Sequence, residues 1–286
     1  MVTIVTVCYN EKETIADTVE SVFRQDYPDY EYIIKDGGST DGTLEIIKRY
    51  MRQFEEKGVR LRLLTGRDRG LYDAMNTAVS EASGDWVNFM NSGDLFFDGR
   101  VLSHIFSGRD YAGAGLIYGD ALEVEYGEYY YFHKCPERIR ERMPFSHQSV
   151  FASRRLLERY PFDLRFRIAA DYDFLLKAEA SGAGFADSGV LTAVVSKDGV
   201  SSVRLKDTYL ESLRIRRENG IVEPPEKELM RELQFVGLKQ FGMDHFPKGL
   251  KYAIRKVQRI KRKQPRIDVT RDADGCFRLG KGGRDD

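Results

Sequence analysis

The sequence has few cysteines and no long apolar run. No segment approaches the roughly 18 to 20 uncharged apolar residues needed to span a bilayer, which argues against an integral membrane protein. Glycine and proline are limited to 26 and 8 residues, while 42% of the chain is hydrophobic. This composition excludes collagen and wholesale disorder. With 286 residues, the chain is long enough for one large domain or two ordinary ones.

The cysteines and the first residues favour a cytoplasmic protein. Cys8, Cys135 and Cys276 are far apart, odd in number and without metal-ligand spacing. Residues 1–10 are apolar but lack the basic segment and the cleavage site of a signal peptide, so we expect them to form a strand of the mature protein. The prediction is a chain whose cysteines stay reduced.

Apolar runs and amphipathic segments alternate along the chain. Three helices separate the first four predicted strands, at residues 2–7, 31–35, 61–64 and 85–90. An antiparallel strand pair, two helices, a strand and a last helix follow, at residues 116–124, 128–133, 153–160, 171–181, 190–195 and 205–219. This order predicts an α/β fold with a mixed, mostly parallel central sheet flanked by helices.

Polar, acidic and glycine residues cluster after four consecutive predicted strands. The clusters occupy residues 8–11, 36–43, 68–76 and 91–94. Because the carboxyl ends of parallel strands share one edge of a sheet, we expect the clusters to meet there. Ordinary turns and helix caps explain each cluster alone. Their coincidence favours a site where carboxylates bind a nucleotide or a divalent cation.

At these clusters the sequence resembles the inverting glycosyltransferases of family two, which have the GT-A fold. The matching segments are 6–11, 36–43, 70–76, 91–94, 146–151 and 168–173. The resemblance covers about residues 1–220 and implies a GT-A-like catalytic domain. It also implies transfer of a sugar from a nucleoside diphosphate-sugar, with a UDP-sugar favoured, to a hydroxyl of a glycan or lipid-linked acceptor.

The resemblance implies roles for individual residues. Asp171 matches the family's general base, and Asp94 matches the last acid of its metal-binding motif. The implied nucleotide-binding residues are Asn10, Glu11, Asp36, Asp68, Gly70 and Asp73. On the acceptor or donor side we place Asn91, His147, Gln148 and Asp173. Asp173 is the reserve candidate for the base, while a helix cap and a structural histidine remain the alternatives for Asp171 and His147.

The predicted metal motif contains a single carboxylate. Many family members have two acids where this chain has Asn-Ser-Gly-Asp at residues 91–94. One acid is sufficient, because Mg²⁺ is commonly held by one or two carboxylates together with substrate phosphates and water. The prediction is a weak site for Mg²⁺ or Mn²⁺ that depends on the nucleotide.

The end of the chain is basic, whereas the body is acidic. Residues 221–286 hold 16 Lys and Arg against 10 Asp and Glu, although the whole chain has no formal net charge. Within residues 248–266 there are nine Lys or Arg, no acid and an apolar helical face formed by Leu250, Ala253, Ile254 and Val257. This pattern suits an anionic membrane surface, with packing on the protein's own domain as the alternative.

The sequence predicts three parts. Nucleic acid is not expected as a partner, because the sequence contains no recognition fold and the body is acidic. Gly220, Pro224 and Pro225 indicate the main boundary. The parts are a catalytic domain at 1–220, a basic helical extension at 221–266 and a disordered tail at 267–286. The location expected is the cytoplasm, with peripheral contact at the inner face of the membrane. The sequence leaves the oligomeric state open.

Two other functions are compatible with the sequence. A sugar-nucleotide nucleotidyltransferase would share the sheet and the metal, but such enzymes carry a glycine-rich basic loop where this chain has Tyr-Asn-Glu-Lys at 9–12. A catalytically inactive scaffold that binds nucleotide or glycan is the second alternative. Its best argument is the reduced acidic motif at residues 91–94.

Overall fold

The computed structural model describes residues 1–132, 134–197, 203–261, 264–273 and 275–280. The strands are β1 (Val2–Cys8), β2 (Tyr30–Asp36), β3 (Leu61–Thr65), β4 (Trp86–Phe89), β5 (Leu95–Phe96), β6 (Ala114–Glu125), β7 (Glu128–Tyr131), β8 (Val150–Ser153), β9 (Gly184–Ser196), β10 (Arg266–Ile267), β11 (Val269–Arg271) and β12 (Phe277–Leu279). The helices are α1 (Ile15–Phe23), α2 (Thr43–Glu56), α3 (Leu71–Ser80), α4 (Val101–Phe106), α5 (Arg154–Arg159), α6 (Ala170–Ala180), α7 (Leu205–Glu218), α8 (Glu226–His245) and α9 (Lys248–Lys261).

The strand β1 lies at the centre of the parallel part of the sheet. It pairs in parallel with β2 on one side and with β4 on the other, and β3 continues the sheet beyond β2. Every residue of β1 and β2 is buried, as expected for strands that helices cover on both faces. Thr6 is tolerated there because its hydroxyl donates to the Met90 carbonyl oxygen at 2.6 Å. The predicted α/β architecture is confirmed.

Antiparallel strands extend the sheet beyond β4. The strand β8 lies between β4 and β6 and is antiparallel to both, and β7 pairs with β6 as the predicted antiparallel partner. The strand β9 runs parallel to β6 and is longer than predicted. The first half of β9, which was not predicted, also pairs with β6, but with shifts in register. Such irregularities interrupt the alternation of buried and exposed residues by which a strand is identified in a sequence.

Strand order creates a crevice at the carboxyl end of β1. The chain places β2 and β3 on one side of β1 and β4 on the other, which is the switch point where open α/β sheets bind ligands. The segments after β1 and β2 are in direct contact, since the Gly37 amide donates to the Cys8 carbonyl oxygen at 2.9 Å. Three of the polar clusters therefore follow adjacent strands.

The helix α9 packs against the sheet through basic side chains. Arg259 is 8% exposed, lies 2.8 Å from Glu125 and 3.6 Å from Glu123, and places its guanidinium 3.6 Å from the centre of the Tyr130 ring. Packing on the protein's own domain, one of the two alternatives for this helix, is therefore observed. Across the described ranges, no helix has both the length and the apolar character required to cross a bilayer.

The segment after α9 forms short strands, in contrast to the disorder predicted for residues 267–286. Antiparallel pairing joins β10 to β7 and β11 to β12. Phe277 is buried and stacks on Phe97 with ring centroids 6.1 Å apart. Phe277 is the buried aromatic contact of this segment, and Val269 and Leu279 pack against the same core. The glycine-rich, charged composition of the segment gives no indication of this packing in the sequence. Residues 281–286 lie outside the described part.

We expect Arg259→Ala to lower the free energy of unfolding by about 2–3 kcal/mol. The substitution removes the shortest ion pair of the largely buried Glu125 side chain and the cation above Tyr130. Urea denaturation followed by circular dichroism measures the change. The matched control is Lys248→Ala on the exposed side of α9, which should shift stability by less than about 0.5 kcal/mol. Equal, small effects of both variants would contradict anchoring through Arg259.

Candidate active site

The loops after β1 and β2 hold each other through side chains. Asn10 has a positive φ of 56°, and its Oδ1 accepts a hydrogen bond from the Thr40 amide at 2.9 Å. Asp36 is fully buried, and its Oδ2 accepts from the amides of Gly38 and Ser39 at 2.8 and 2.9 Å. Both predicted nucleotide-binding residues thus use these oxygens to shape the loop. Neither is among the residues that line the cleft.

The segment before α3 is held by a buried ion pair. The Lys35 ammonium lies 2.7 Å from Asp68 Oδ2 and also donates to the carbonyl oxygens of Asp36 and Gly66. Gly70, which directly precedes α3, has a φ of 138° and open space where a Cβ would stand. Asp68 and Gly70 both line the cleft, so a ligand can approach the backbone there.

Asp73 does not line the cleft, in contrast to its predicted role. Both of its oxygens are bonded to Arg69, with Oδ1 2.8 Å from the guanidinium and Oδ2 2.9 Å from the backbone amide. The side-chain and backbone hydrogen bonds from Arg69 lower the pKa of Asp73. The carboxylate binds the residues that precede α3, a local role that its position in the first turn of the helix favours.

A large cleft runs along the carboxyl ends of the central strands and continues towards the C-terminal helices. Its volume is about 2420 Å³, well above the roughly 300–1,000 Å³ of a pocket for one small ligand. The predicted site residues on its lining are Glu11, Asp68, Gly70, Asn91, Asp94, His147, Gln148 and Asp171. The cleft therefore has room for two substrates and brings together residues from both halves of the predicted domain.

Asp94 is a buried carboxyl at the edge of this cleft. Its Oδ2 accepts a hydrogen bond from the Gln148 amide nitrogen at 2.6 Å, and its Oδ1 accepts from the Ser196 backbone at 3.4 Å. Burial raises the pKa of Asp94 to about 6, although the hydrogen bond from Gln148 and the charge of His147 oppose that rise. The group is therefore easily neutralised, and a nearby cation would favour its charged form.

Asp171 is held by three hydrogen-bond donors at the start of α6. Its Oδ2 lies 3.3 Å from His147 Nδ1, while Oδ1 accepts from the Tyr72 hydroxyl at 3.1 Å and from the Tyr172 amide at 2.9 Å. The Asn91 amide nitrogen lies 3.1 Å from His147 Nε2. Since the amide nitrogen donates, Nε2 accepts and the ring proton of the neutral histidine lies on Nδ1, facing Asp171.

His147 is therefore a partner of Asp171 and not an isolated structural histidine. Burial favours the neutral ring, but the hydrogen bond to Asp171 and the charges of Asp171 and Asp94 outweigh it, so the pKa of His147 is raised. Gln148, the next residue, donates to Asp94. The short helical turn His147–Ser149 thus connects the two carboxylates of the cleft.

Two contributors were missed by the sequence analysis. Glu211 of α7 accepts hydrogen bonds from the backbone amides of Arg167, Ile168 and Ala169 at 2.7–2.8 Å and so orders the segment before Asp171. No pattern in the sequence indicates this contact. The Tyr72 hydroxyl donates a hydrogen bond to Asp171. Tyr72 lies within the polar cluster at residues 68–76, and this cluster is the feature of the sequence that could have identified it.

Asp173, the reserve candidate for the base, is not on the lining of the cleft. It is 2% exposed, and its carboxylate is bonded to Lys177 at 2.6 Å and to the Asn219 amide at 2.9 Å. The i,i+4 spacing to Lys177 favours this pairing within α6. Asp173 therefore ties α6 to the end of α7.

The residues around Asp94 fit a weakly held divalent cation. Within the described ranges, no group of three or more His, Cys, Asp or Glu could hold a metal ion. The Oδ1 atom of Asn91, however, is buried without a hydrogen-bond partner among the described residues, and it lies in the same turn as Asp94. Two protein oxygens together with substrate phosphates and water are sufficient for Mg²⁺ or Mn²⁺.

Comparison with known families agrees with this geometry. The family model for glycosyl transferase family 2 matches residues 3–161, more than half of the chain. The chain belongs to glycosyl transferase family 2. A PGL/p-HBAD biosynthesis glycosyltransferase of Mycobacterium bovis is 30% identical over 180 residues, which are 62% of this chain and 69% of that protein. The putative glycosyltransferase EpsE of Bacillus subtilis is 28% identical over 178 residues, or 59% of this chain and 63% of EpsE.

Solved structures share the fold of this family 2 glycosyltransferase. S. aureus TarS 1–349 in complex with UDP-GlcNAc has a TM-score of 0.62 at 18% identity, covering 85% of this chain and 72% of that chain. The mannosyltransferase PcManGT from Pyrobaculum calidifontis, in complex with GDP-Man and Mn²⁺, has a TM-score of 0.60 at 19% identity. The match covers 86% of this chain and 70% of that chain. The predicted family and GT-A-like fold are confirmed, and the nucleotidyltransferase alternative is set aside.

We expect Asp94→Asn to gain stability relative to the wild type as the pH rises. The folded-state pKa of about 6 lies above the ordinary value of 3.8, so folding favours the protonated carboxyl. The wild type therefore loses stability as the pH rises from about 3.8 to about 6, and this loss persists at higher pH. The difference in free energy of unfolding between variant and wild type should increase by about 2 kcal/mol from pH 4.5 to pH 7.5. Urea denaturation in a chelating buffer measures it.

The matched control is the exposed Asp110→Asn, whose difference from the wild type should stay nearly constant over the same range. A flat profile for Asp94→Asn as well would contradict a raised pKa at Asp94.

Proposed function

We propose that this glycosyltransferase transfers a sugar from a nucleoside diphosphate-sugar to a hydroxyl of a glycan or lipid-linked acceptor, with inversion at the anomeric carbon. A UDP-sugar is the favoured donor. The observation that carries the proposal is that Asp94 and Asp171 line one cleft and are connected through His147 and Gln148. The fold neighbours add support, since TarS was crystallised with UDP-GlcNAc and PcManGT is complexed with GDP-Man and Mn²⁺.

The donor is proposed to bind where the loops after β1, β3 and β4 border the cleft. Glu11, Asp68 and the backbone at Gly70 line this end. Asp94 and Asn91 Oδ1 would hold Mg²⁺ or Mn²⁺, which supplies neutralisation of the charge on the leaving diphosphate. Asn10, Asp36 and Asp73 contribute indirectly by holding the loops that shape this end.

Asp171 is proposed as the general base. Its carboxylate takes the proton of the acceptor hydroxyl as that oxygen attacks the anomeric carbon from the face opposite the diphosphate. His147 and Tyr72 hold the carboxylate in one orientation through hydrogen bonds to its two oxygens. A positioned base of this kind contributes about 10² to 10⁴ in rate.

We expect Asp171→Asn and Asp94→Ala to give opposite patterns. Asp171→Asn removes the base and should lower kcat for sugar transfer or slow donor hydrolysis at least 100-fold, with nucleotide affinity changed less than about twofold. Asp94→Ala removes a cation ligand and should weaken nucleotide binding in Mg²⁺ or Mn²⁺ at least tenfold, with little effect when metal is chelated.

A thermal-shift panel of UDP, GDP, dTDP and CDP with each metal identifies the nucleotide for these assays. NMR of the product anomer then tests inversion. Full turnover in Asp171→Asn would contradict the assigned base. Nucleotide binding by the wild type without turnover of any donor would favour the inactive scaffold instead.

We further propose peripheral contact with an anionic membrane through α8 and α9, at the cytoplasmic face. Exposed apolar side chains remain on these helices after α9 has packed: Met230, Phe235, Leu238, Phe241, Leu250 and Val257. Lys248 and Lys256 are exposed beside the apolar residues of α9. Exposed apolar and basic groups together are typical of helices that lie in the membrane interface. The cysteines are unpaired in the described structure, consistent with a reducing compartment.

We expect the double variant Leu250→Glu and Val257→Glu to reduce co-sedimentation with vesicles of anionic phospholipid at least fivefold, because both apolar side chains would be lost from the interface. The matched control carries two glutamates at the exposed, uncharged Met51 and Gln53 of α2, so that both double variants lower the net charge by two. Equal losses in both variants would show that charge alone, and not this apolar face, governs binding.

A further inference from the structure

Arginine side chains line the cleft at the end that contains Asp171. They are Arg138, Arg140, Arg142, Arg167 and Arg216. Arg138 is paired with Glu141, and Arg140 is paired with Glu179. The exposed side chains of Arg142 and Arg167 make no hydrogen bond or ion pair within the ranges that the structure describes. Two cationic groups on this lining are therefore available to a ligand.

Arg216 adds a buried donor without a partner. Its Nη1 donates to the Glu141 carbonyl oxygen at 3.2 Å, which fixes the guanidinium against the turn that contains Arg142. Its Nε is buried and has no hydrogen-bond acceptor among the described residues. Buried donors in native proteins are nearly always paired, so an unpaired one on the lining of a cleft indicates an acceptor supplied from outside the chain.

These groups surround the end of the cleft that holds the proposed base. Arg167 precedes Asp171 by four residues, in the segment that leads into α6. The turn with Arg142 is held against the same helix, because the Tyr172 hydroxyl donates to the Ile139 carbonyl oxygen at 2.7 Å. The arginines therefore lie on the acceptor side of the cleft and not among the loops proposed for the donor.

Several acids near these arginines have other partners: Glu223 is paired with Arg217, and Glu232 accepts from the Tyr209 hydroxyl. Glu141 is paired with Arg138. Glu211 accepts hydrogen bonds from the three backbone amides at 167–169. These acids form no ion pair with Arg142, Arg167 or Arg216 in the described ranges, so the three guanidinium groups are available to an anion.

We propose that the acceptor carries a phosphate or diphosphate group, and that Arg142, Arg167 and Arg216 bind it while the acceptor hydroxyl faces Asp171. This inference rests on the proposed glycosyl transfer. The planar guanidinium matches the oxygens of a phosphate in a bidentate way. A single carboxylate has two oxygens and one negative charge, which is too little to bind three guanidinium groups. A phosphate group offers at least three oxygens and a double charge.

Calorimetric titration of the wild-type protein, first saturated with Mg²⁺ and UDP to fill the donor end, tests the inference. The probes are glycerol 3-phosphate and decyl phosphate, with glycerol and decyl glucoside as uncharged counterparts. We expect the phosphates to bind at least tenfold more tightly than their counterparts. Tighter binding of decyl phosphate than of glycerol 3-phosphate indicates a lipid-linked phosphate, while equal affinities indicate a soluble phosphorylated acceptor.

Substitution of the arginines locates the phosphate. Arg142→Ala and Arg167→Ala should each weaken binding of the better phosphate probe roughly tenfold, because each removes a charge-assisted contact. Arg216→Lys keeps the charge but removes Nε as a donor and should weaken it by a smaller factor. The matched control is Arg49→Ala, an exposed arginine of α2, which should bind the probe as the wild type does.

The outcomes separate this inference from the proposed function. A wild-type protein that binds UDP with Mg²⁺ but neither phosphate overturns the inference alone. Equal affinity in Arg49→Ala and in the double variant Arg142→Ala and Arg167→Ala overturns it as well. Failure to bind any nucleotide overturns the proposed function. Because the first comparison uses only the wild type, it remains decisive if a substitution prevents folding.

Discussion

Burial of β1 between β2 and β4 is the constraint on which the site depends. The register of β1 with β2 places Cys8 opposite Asp36, so the loops that follow must leave the sheet side by side. The buried Lys35 of β2 is stable there because Asp68 and two carbonyl oxygens accept its hydrogens. The same ion pair holds the segment before α3 close to the crevice. Helix cover on both faces leaves the carboxyl edge as the place for polar chemistry.

The carboxylates near that edge differ in their hydrogen-bond partners. Asp36 accepts from amides of its own loop, Asp73 binds Arg69, and Asp173 binds Lys177. Asp94 and Asp171 are held instead by side chains that themselves line the cleft. Asp36, Asp73 and Asp173 thus hold their own loop or helix in place, whereas Asp94 and Asp171 are oriented by residues of the cleft lining.

The C-terminal extension uses its basic residues in two ways. Arg255 and Arg259 neutralise the acids at the end of β6 and attach α9 to the sheet. Apolar side chains such as Leu238, Phe241 and Leu250 stay exposed on α8 and α9, and Phe235 and Lys239 of α8 also line the cleft. The extension thus completes the cleft as well as covering the sheet edge. Charge counted along the sequence does not separate these uses, because pairing depends on which acids lie opposite each cation.

The sequence by itself determined the strand and helix order of the first 95 residues and the edge at which the polar clusters meet, because apolar periodicity and strand direction are local properties. Only the tertiary structure decided which acids face the cleft. The partners that decide it are distant in sequence: Tyr72 lies 99 residues from Asp171, and Glu125 lies 134 residues from Arg259. Hydrogen bonds between such residues exist only after folding has brought their strands and helices together.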